Sequence, residues 1–157
     1  MRPPPFQVFL DAHREDVFRF LLYMVGPGEA EDCFQETFLA ALRAYPRLRD
    51  ASNLNSWVLT IAHRKALDAH RARRRRPEPV EAVPEAASEG SLDGQVPDPE
   101  LWEAVRGLPP KQRAAVVHRF VADLAYREIA RVMGTTEEAA RRNVHEGVTK
   151  LREVWKA

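Results

Sequence analysis

"LAYREIARVMGTTEEAARRNVHEGVTKLREVW", residues Leu124 to Trp155, carries two helical registers separated by one glycine. Ile129, Ala130 and Met133 share one side of a short helix, and Ala140, Val144, Val148 and Leu151 recur at the spacing of a longer one. Gly134 suits a tight bend between them, and Thr135 with Glu138 fits a capping box at the start of the second helix. Two helices joined in this way are a helix-turn-helix. The side away from the apolar stripe shows Glu138, Arg142, His145 and Thr149, with Arg141 on the flank. In a DNA major groove arginine donates two bonds to guanine and glutamate accepts one from cytosine. An exposed i, i+4 salt bridge between Glu138 and Arg142 is the plainer use of the same residues, and the two uses are compatible.

Upstream of this stretch, "HRARRRRPEPVEAVPEAASEG" (His70 to Gly90) changes character at one proline. Arg71 and Arg73 to Arg76 stand before Pro77; after it come acids, prolines and alanines, with no Lys or Arg until Arg106. The net charge of +1 therefore hides three pieces. Residues 1–76 hold 13 Lys/Arg against 9 Asp/Glu, residues 77–99 hold 6 acids and no base, and residues 100–157 hold 11 bases against 8 acids. The middle piece has too little apolar surface to offset the entropy of ordering it, so it is expected to be a flexible acidic, Pro-rich linker. A flexible chain of about 23 residues averages about 25 to 29 Å end to end and reaches at most about 80 Å. The expected fold class is all-α: two small helical domains, 1–76 and 100–157, joined by the linker 77–99, with the helix-turn-helix in the second.

The first piece reads as three helices. Phe6, Phe9, Leu10, Val17, Phe20, Leu21 and Met24 line one side of the first, which "GPG" at residues 26–28 ends. Ala30, Phe34, Thr37, Phe38, Ala41 and Tyr45 make the stripe of the second, stopped by Pro46. The third runs from about Asn55 to Arg76 with Trp57, Val58, Ile61, Ala62 and Ala69 inward. Asp68 falls within that stripe and is expected to pair with Arg64 or Lys65 on the preceding turn. Trp57 at such a position is read as core before stacking platform. On the second helix, Asp32, Gln35, Glu36, Leu39 and Arg43 project opposite the core stripe, a surface with one apolar anchor and an acid-amide rim that suits a docking partner. No alternating strand pattern of useful length occurs.

Several function classes are poorly served by these residues. The single cysteine, Cys33, excludes an internal disulfide and a zinc cage of several cysteines, and at an apolar helical position it is read as core rather than nucleophile. The histidines, His13, His63, His70, His118 and His145, are scattered; His63 and His70 share a face with no matching carboxylate cluster. No catalytic residue, metal or cofactor is expected, and the chain is read as a non-enzyme. "MRPPPF" lacks the apolar stretch of a signal peptide, and no run approaches the about 20 apolar residues of a membrane span, so no membrane insertion and a cytoplasmic location are expected.

"AEDCFQETFLAALRAYPRLRDASNLNSWVLTIAHRKALDAHRARRRR" (residues 30–76) resembles the second conserved region of extracytoplasmic-function (ECF) sigma factors of bacterial RNA polymerase. "LPPKQRAAVVHRFVADLAYREIARVMGTTEEAARRNVHEGVTKLRE" (residues 108–153) is similar to their fourth region. The resemblance implies a factor that directs core polymerase to promoters and initiates transcription. It implies docking on the polymerase clamp through Asp32, Gln35, Glu36 and Leu39. It implies a grip on the opened minus-ten element through Asp50, Ser52, Asn53, Leu54, Asn55, Trp57, Arg64 and Lys65, with Arg71, Arg73 and Arg74 on phosphates. The minus-thirty-five element would be read by Thr136, Glu138, Arg141, Arg142 and His145. The implied partners are the polymerase core at its clamp and flap, promoter DNA and, as a further candidate, an anti-sigma protein. Leu54 stands where the family often has an aromatic residue, Asn55 where it often has a base, and "HEGV" where more basic residues usually follow. A stand-alone helix-turn-helix regulator would account for residues 100–157 but leaves "EDCFQETF" and "SWVLTIAH" without a role.

Overall fold

The computed structural model describes residues 2–75 and 98–156, with seven helices and no strand among them. Helix α1 (Phe6–Val25) ends where Gly26 turns to a φ of +85°, a conformation side-chain-bearing residues rarely adopt. Pro27 then opens α2 (Pro27–Ala44) at a position where its missing N–H is not needed, two residues before the start the sequence suggested. Ala30, Cys33, Thr37, Phe38 and Ala41 form the buried side of α2, and a 3-10 turn at Tyr45–Arg47 closes it. The Tyr45 hydroxyl donates to the Pro4 carbonyl and ties down the N-terminal segment. Phe9 lies at the centre of the aromatic core, 5.3 Å from the Tyr45 ring, 5.7 Å from Trp57 and 6.1 Å from Phe38. Trp57 thus packs against the core, half-buried, on the side its register indicated.

Helix α3 (Leu54–Arg75) starts on an Asn53 cap, whose side-chain oxygen accepts from the Ser56 N–H at 3.1 Å. Its buried set is Ser56, Val58, Leu59, Ala62, His63 and Ala66. This differs from the expected stripe: Trp57, Ile61 and Ala69 are half-buried, whereas Leu59, His63 and Ala66 go deeper. Asp68 is exposed, so water solvates it and it has no need of the partner proposed from the stripe.

The C-terminal unit begins earlier than its charge map suggested. The Asp98 carboxylate caps α4 (Pro99–Arg106), accepting from the Leu101 N–H at 3.1 Å, so Asp98 and Pro99 belong to this helix. The remainder of the expected linker lies outside the described residues. Helix α5 (Pro110–Phe120) packs against α6 (Tyr126–Met133) and α7 (Glu137–Lys156). Gly134 takes the left-handed conformation at the end of α6, and the Thr135 N–H returns to the Ala130 carbonyl at 2.9 Å. The cap of α7 is Thr136, not Thr135: its hydroxyl accepts from the Ala139 N–H at 3.0 Å. The glycine-centred bend takes up Thr135, and the cap moves on by one residue. Ala140, Val144 and Gly147 of α7 are buried, and a Cβ on Gly147 would stand 2.6 Å from Val116 Cγ2 of α5.

The two units are not merely tethered. α1 packs on α4 and α5, and α3 packs on α6, so one apolar core runs through both. That second cover explains why Phe20, Leu21, Leu22, Tyr23 and Met24 are all buried in a helix whose sequence suggested a single inward side. It also explains why α3 buries more than one stripe.

Candidate functional site

Three surfaces carry the residues singled out in the sequence. On α2, Asp32, Gln35, Glu36 and Arg43 are exposed, and Leu39 exposes 52% of its surface, as the projection indicated. Leu42, 49% exposed one turn on, widens the apolar patch. Sequence reasoning passed over it; its i+3 spacing from Leu39 was the available signal.

The loop before α3 is shaped by its own polar side chains. Asp50 accepts from the Ser52 N–H and from the Ser52 hydroxyl, each at 2.9 Å. Those bonds, the backbone one first, hold the Asp50 carboxyl below the usual carboxylate range. Ser52 and Asn53 are exposed, but Asn53 also caps α3. Leu54 and Asn55 are both half-buried, Leu54 against the core, and the Asn55 Oδ1 is buried without a hydrogen-bond partner among the described residues, so both turn partly inward. Arg64 is exposed and Lys65 half-buried. At the far end of α3, Arg71, Arg73 and Arg74 are exposed, Arg73 lying 3.7 Å from the Glu29 carboxylate. The loop and the arginine cluster therefore occupy opposite ends of one 22-residue helix.

On α7, Thr136, Glu138, Arg141, Arg142 and His145 are exposed. The i, i+4 ion pair is Glu137–Arg141 at 2.9 Å rather than Glu138–Arg142. Glu138 and Arg142 have no ion pair among the described residues. Arg141 is further held because its guanidinium lies 4.7 Å from the centre of the Tyr126 ring, which Arg119 also approaches at 4.7 Å. Neither Arg119 nor Tyr126 had been singled out, because the three meet only when α5, α6 and α7 pack. Cys33 is buried, and burial, followed by the nearby Glu29, Glu36, Asp32 and Asp68, pushes its thiol up to about 12. Among the described residues no three metal-ligating side chains gather, and no helix is long and apolar enough to cross a membrane.

Comparison with known proteins assigns both halves. The family model described as "Sigma-70 region 2" matches residues 9–76, and "Sigma-70, region 4" matches residues 99–151. The RNA polymerase sigma factor CarQ of Myxococcus xanthus is 33% identical over 95% of this chain and 88% of its own length. The ECF RNA polymerase sigma factor SigC of Mycobacterium tuberculosis is 33% identical over 82% of this chain and 71% of its own. SigX of Bacillus subtilis, also named an ECF RNA polymerase sigma factor, is 26% identical over 94% and 81%. Two solved structures share the fold. The sigma factor RpoE in complex with the anti-sigma factor NepR from Bartonella quintana has a TM-score of 0.78 and 23% identity over 97% of both chains. CnrH in complex with the cytosolic domain of CnrY has a TM-score of 0.71 and 16% identity, covering 96% of this chain and 87% of CnrH.

Proposed function

The chain belongs to the sigma-70 family, in its extracytoplasmic-function branch, and from that premise we propose how its surfaces divide the work of a sigma factor. As a member of the family it is a transcription initiation factor that binds DNA and brings core RNA polymerase to promoters. Residues 2–75 form the polymerase-docking and minus-ten unit, and residues 98–156 the minus-thirty-five unit. Asp32, Gln35, Glu36 and Leu39, joined by Leu42, dock on the polymerase. Asp50, Ser52 and Asn53 present the loop that holds an opened strand, with Leu54, Asn55 and Trp57 acting mainly as its packed support. Arg64, Lys65, Arg71, Arg73 and Arg74 neutralise phosphates along α3. The protein carries no chemistry of its own, since the polymerase supplies it, and works in the cytoplasm with that enzyme. An anti-sigma protein is a further candidate partner. A stand-alone regulator would leave the region matched over residues 9–76 idle.

The observation that carries the residue assignment is on α7. Arg142 and Glu138 stand exposed and, among the described residues, without ion pairs on a capped helix whose other side is packed on α5. Arg141 is engaged by Glu137 and Tyr126, which suits a fixed cation against phosphate. Holoenzyme binding to single-base promoter variants at several salt concentrations tests this. Arg142→Ala should abolish preference at one upstream position, where a good bidentate contact is worth about 1 to 3 kcal/mol. Neutralising Arg71, Arg73 and Arg74 should weaken binding to every variant and lower the salt slope by about one for each phosphate no longer neutralised. A uniform loss with Arg142→Ala would move that residue to phosphate or structure.

A further inference from the structure

The two matched halves close on each other through a buried seam that holds a histidine pair. His118 of α5 is fully enclosed, with Nε2 3.1 Å from Nδ1 of His63 on α3 and its ring centre 4.6 Å from that of Phe20 on α1. Elsewhere between the two halves, Trp102 of α4 covers Gly26, where a Cβ would stand 2.9 Å from Cζ2. Arg113 of α5 donates to the Met24 carbonyl of α1 at 3.4 Å and to the Arg106 carbonyl at 2.7 Å. We propose that this closure is a shut state of the sigma factor, keyed by His63 and His118, and that protonation of the pair releases the C-terminal unit from α1 and α3. The proposal rests on the reading that the two halves contact separate promoter elements.

Reach makes the closed arrangement a non-reading one. A packed body made of residues 2–75 and 98–156 has a radius of gyration of about 14 Å, hence a diameter of about 36 Å. Elements centred near minus ten and minus thirty-five are separated by roughly 20 to 25 base pairs, about 70 to 85 Å of DNA axis. One rigid body of this size cannot lay its loop 48–53 on the first and α7 on the second. The seam must part before both are engaged.

The chemistry of the seam sets what parts it. A neutral histidine pair shares one proton between facing nitrogens, and His118 Nδ1 has no hydrogen-bond partner among the described residues. An added proton on that ring finds no acceptor. The charges that act on the pair are cationic. Arg64 of α3 acts on His63, and His63 acts on His118. Along the same seam His70 of α3 lies under Arg113 of α5 and under Arg74 and Arg73 of its own helix. From α1 comes Phe20; the Asp98 carboxylate before α4 acts on Tyr23, with Arg19, and on neither histidine. α6 packs on α3, and its buried residues are the apolar Ile129, Ala130 and Val132. Burial first, then Arg64, holds His63 down to about 4, and burial, then His63, holds His118 well below its ordinary value.

Both shifts are downward, so the closed state takes up fewer protons than the open one. Closure is fully favoured above the ordinary histidine value of 6.5 and is lost as pH falls from there toward about 4. His63 alone lowers the closing constant about tenfold at pH 5.5 and about thirtyfold at pH 5, and His118 adds to that.

The test uses the full chain without polymerase or DNA, so that it stands apart from the promoter reading. Small-angle scattering of the unmodified protein, and the distance between spin labels at Arg47→Cys and Arg152→Cys, are followed from pH 7.5 to 5 beside far-ultraviolet circular dichroism. Expected are a short distance and small radius at pH 7.5, and a growing long-distance population below pH 6.5 with helicity retained. The variant H63Q/H118Q, which removes the titrating groups, should lose this pH dependence. Gly26→Leu, which pushes Trp102 away, should be open at pH 7.5 already. An unchanged radius and distance to pH 5 in the unmodified chain overturns the proposal, and so does an undiminished pH response in a folded double variant. If acid opens the chain but the Gly26→Leu holoenzyme reads only one promoter element, the latch stands and the division of promoter reading between the halves falls.

Discussion

Replacing Gly147 by alanine should weaken the fold even though alanine is the better helix former. The added methyl group would meet Val116 Cγ2 at 2.6 Å, the Gln112 carbonyl oxygen at 3.4 Å and Gln112 Cβ at 3.5 Å. Carbon atoms in ordinary contact lie about 3.5 to 4.0 Å apart, so α7 must back away from α5 or Val116 must leave its place by about 1 Å. Overpacking of this kind costs about 1 to 3 kcal/mol, against a helix-propensity gain of about 0.5 to 1 kcal/mol. The expected net loss is about 1 kcal/mol. With a urea slope of about 2 kcal/mol/M, the denaturation midpoint followed by circular dichroism should fall by about 0.5 M. Val116→Ala alone should cost about 1.6 kcal/mol for two buried methyl-sized groups, but little in the Gly147→Ala background, where it removes the clash. A midpoint that rises in Gly147→Ala, or additive costs in the double variant, would refute the argument that this glycine exists to let the two helices approach.

Thr136→Ala should cost about 1 kcal/mol through loss of the α7 cap, seen as a lower urea midpoint, whereas Thr135→Ala should leave it within about 0.5 kcal/mol. The pair Gln35→Ala and Leu39→Ala should weaken binding to core polymerase in a pull-down titration while the melting temperature stays nearly constant, because both side chains are exposed. An equal loss of stability would place that face in the core. Cys33, buried and with its thiol pushed up to about 12, should resist iodoacetamide at pH 8 and react once the chain is unfolded in urea. Rapid alkylation of the native protein would show that α2 is not seated as described.

Local rules were enough to read most elements. Gly26 and Pro27, Pro46, and Gly134 mark helix ends in the sequence because their backbone preferences act within a few residues. The outward sets on α2 and α7 were legible for the same reason: helical periodicity separates Leu39 from Phe38, and Arg142 from Val144, before anything packs. The errors were also local in kind. Thr136 rather than Thr135 caps α7 because the αL residue shifts the helix start by one position, and the i, i+4 pair that forms is Glu137–Arg141 rather than Glu138–Arg142.

Composition and periodicity specify an all-helical chain with two basic ends, a helix-turn-helix in the second and two polar faces whose exposure follows from their register. It takes the packed fold to show that α1 and α3 are covered on a second side by α4, α5 and α6. That packing alone brought His63 against His118 across 55 residues of chain, Trp102 over Gly26, and Arg119 and Arg141 onto Tyr126. Periodicity shows which side of a helix avoids water, and it is blind to which other helix supplies the cover. A contact between distant segments is selected by the shape and polarity of both surfaces together, and neither surface alone carries that information.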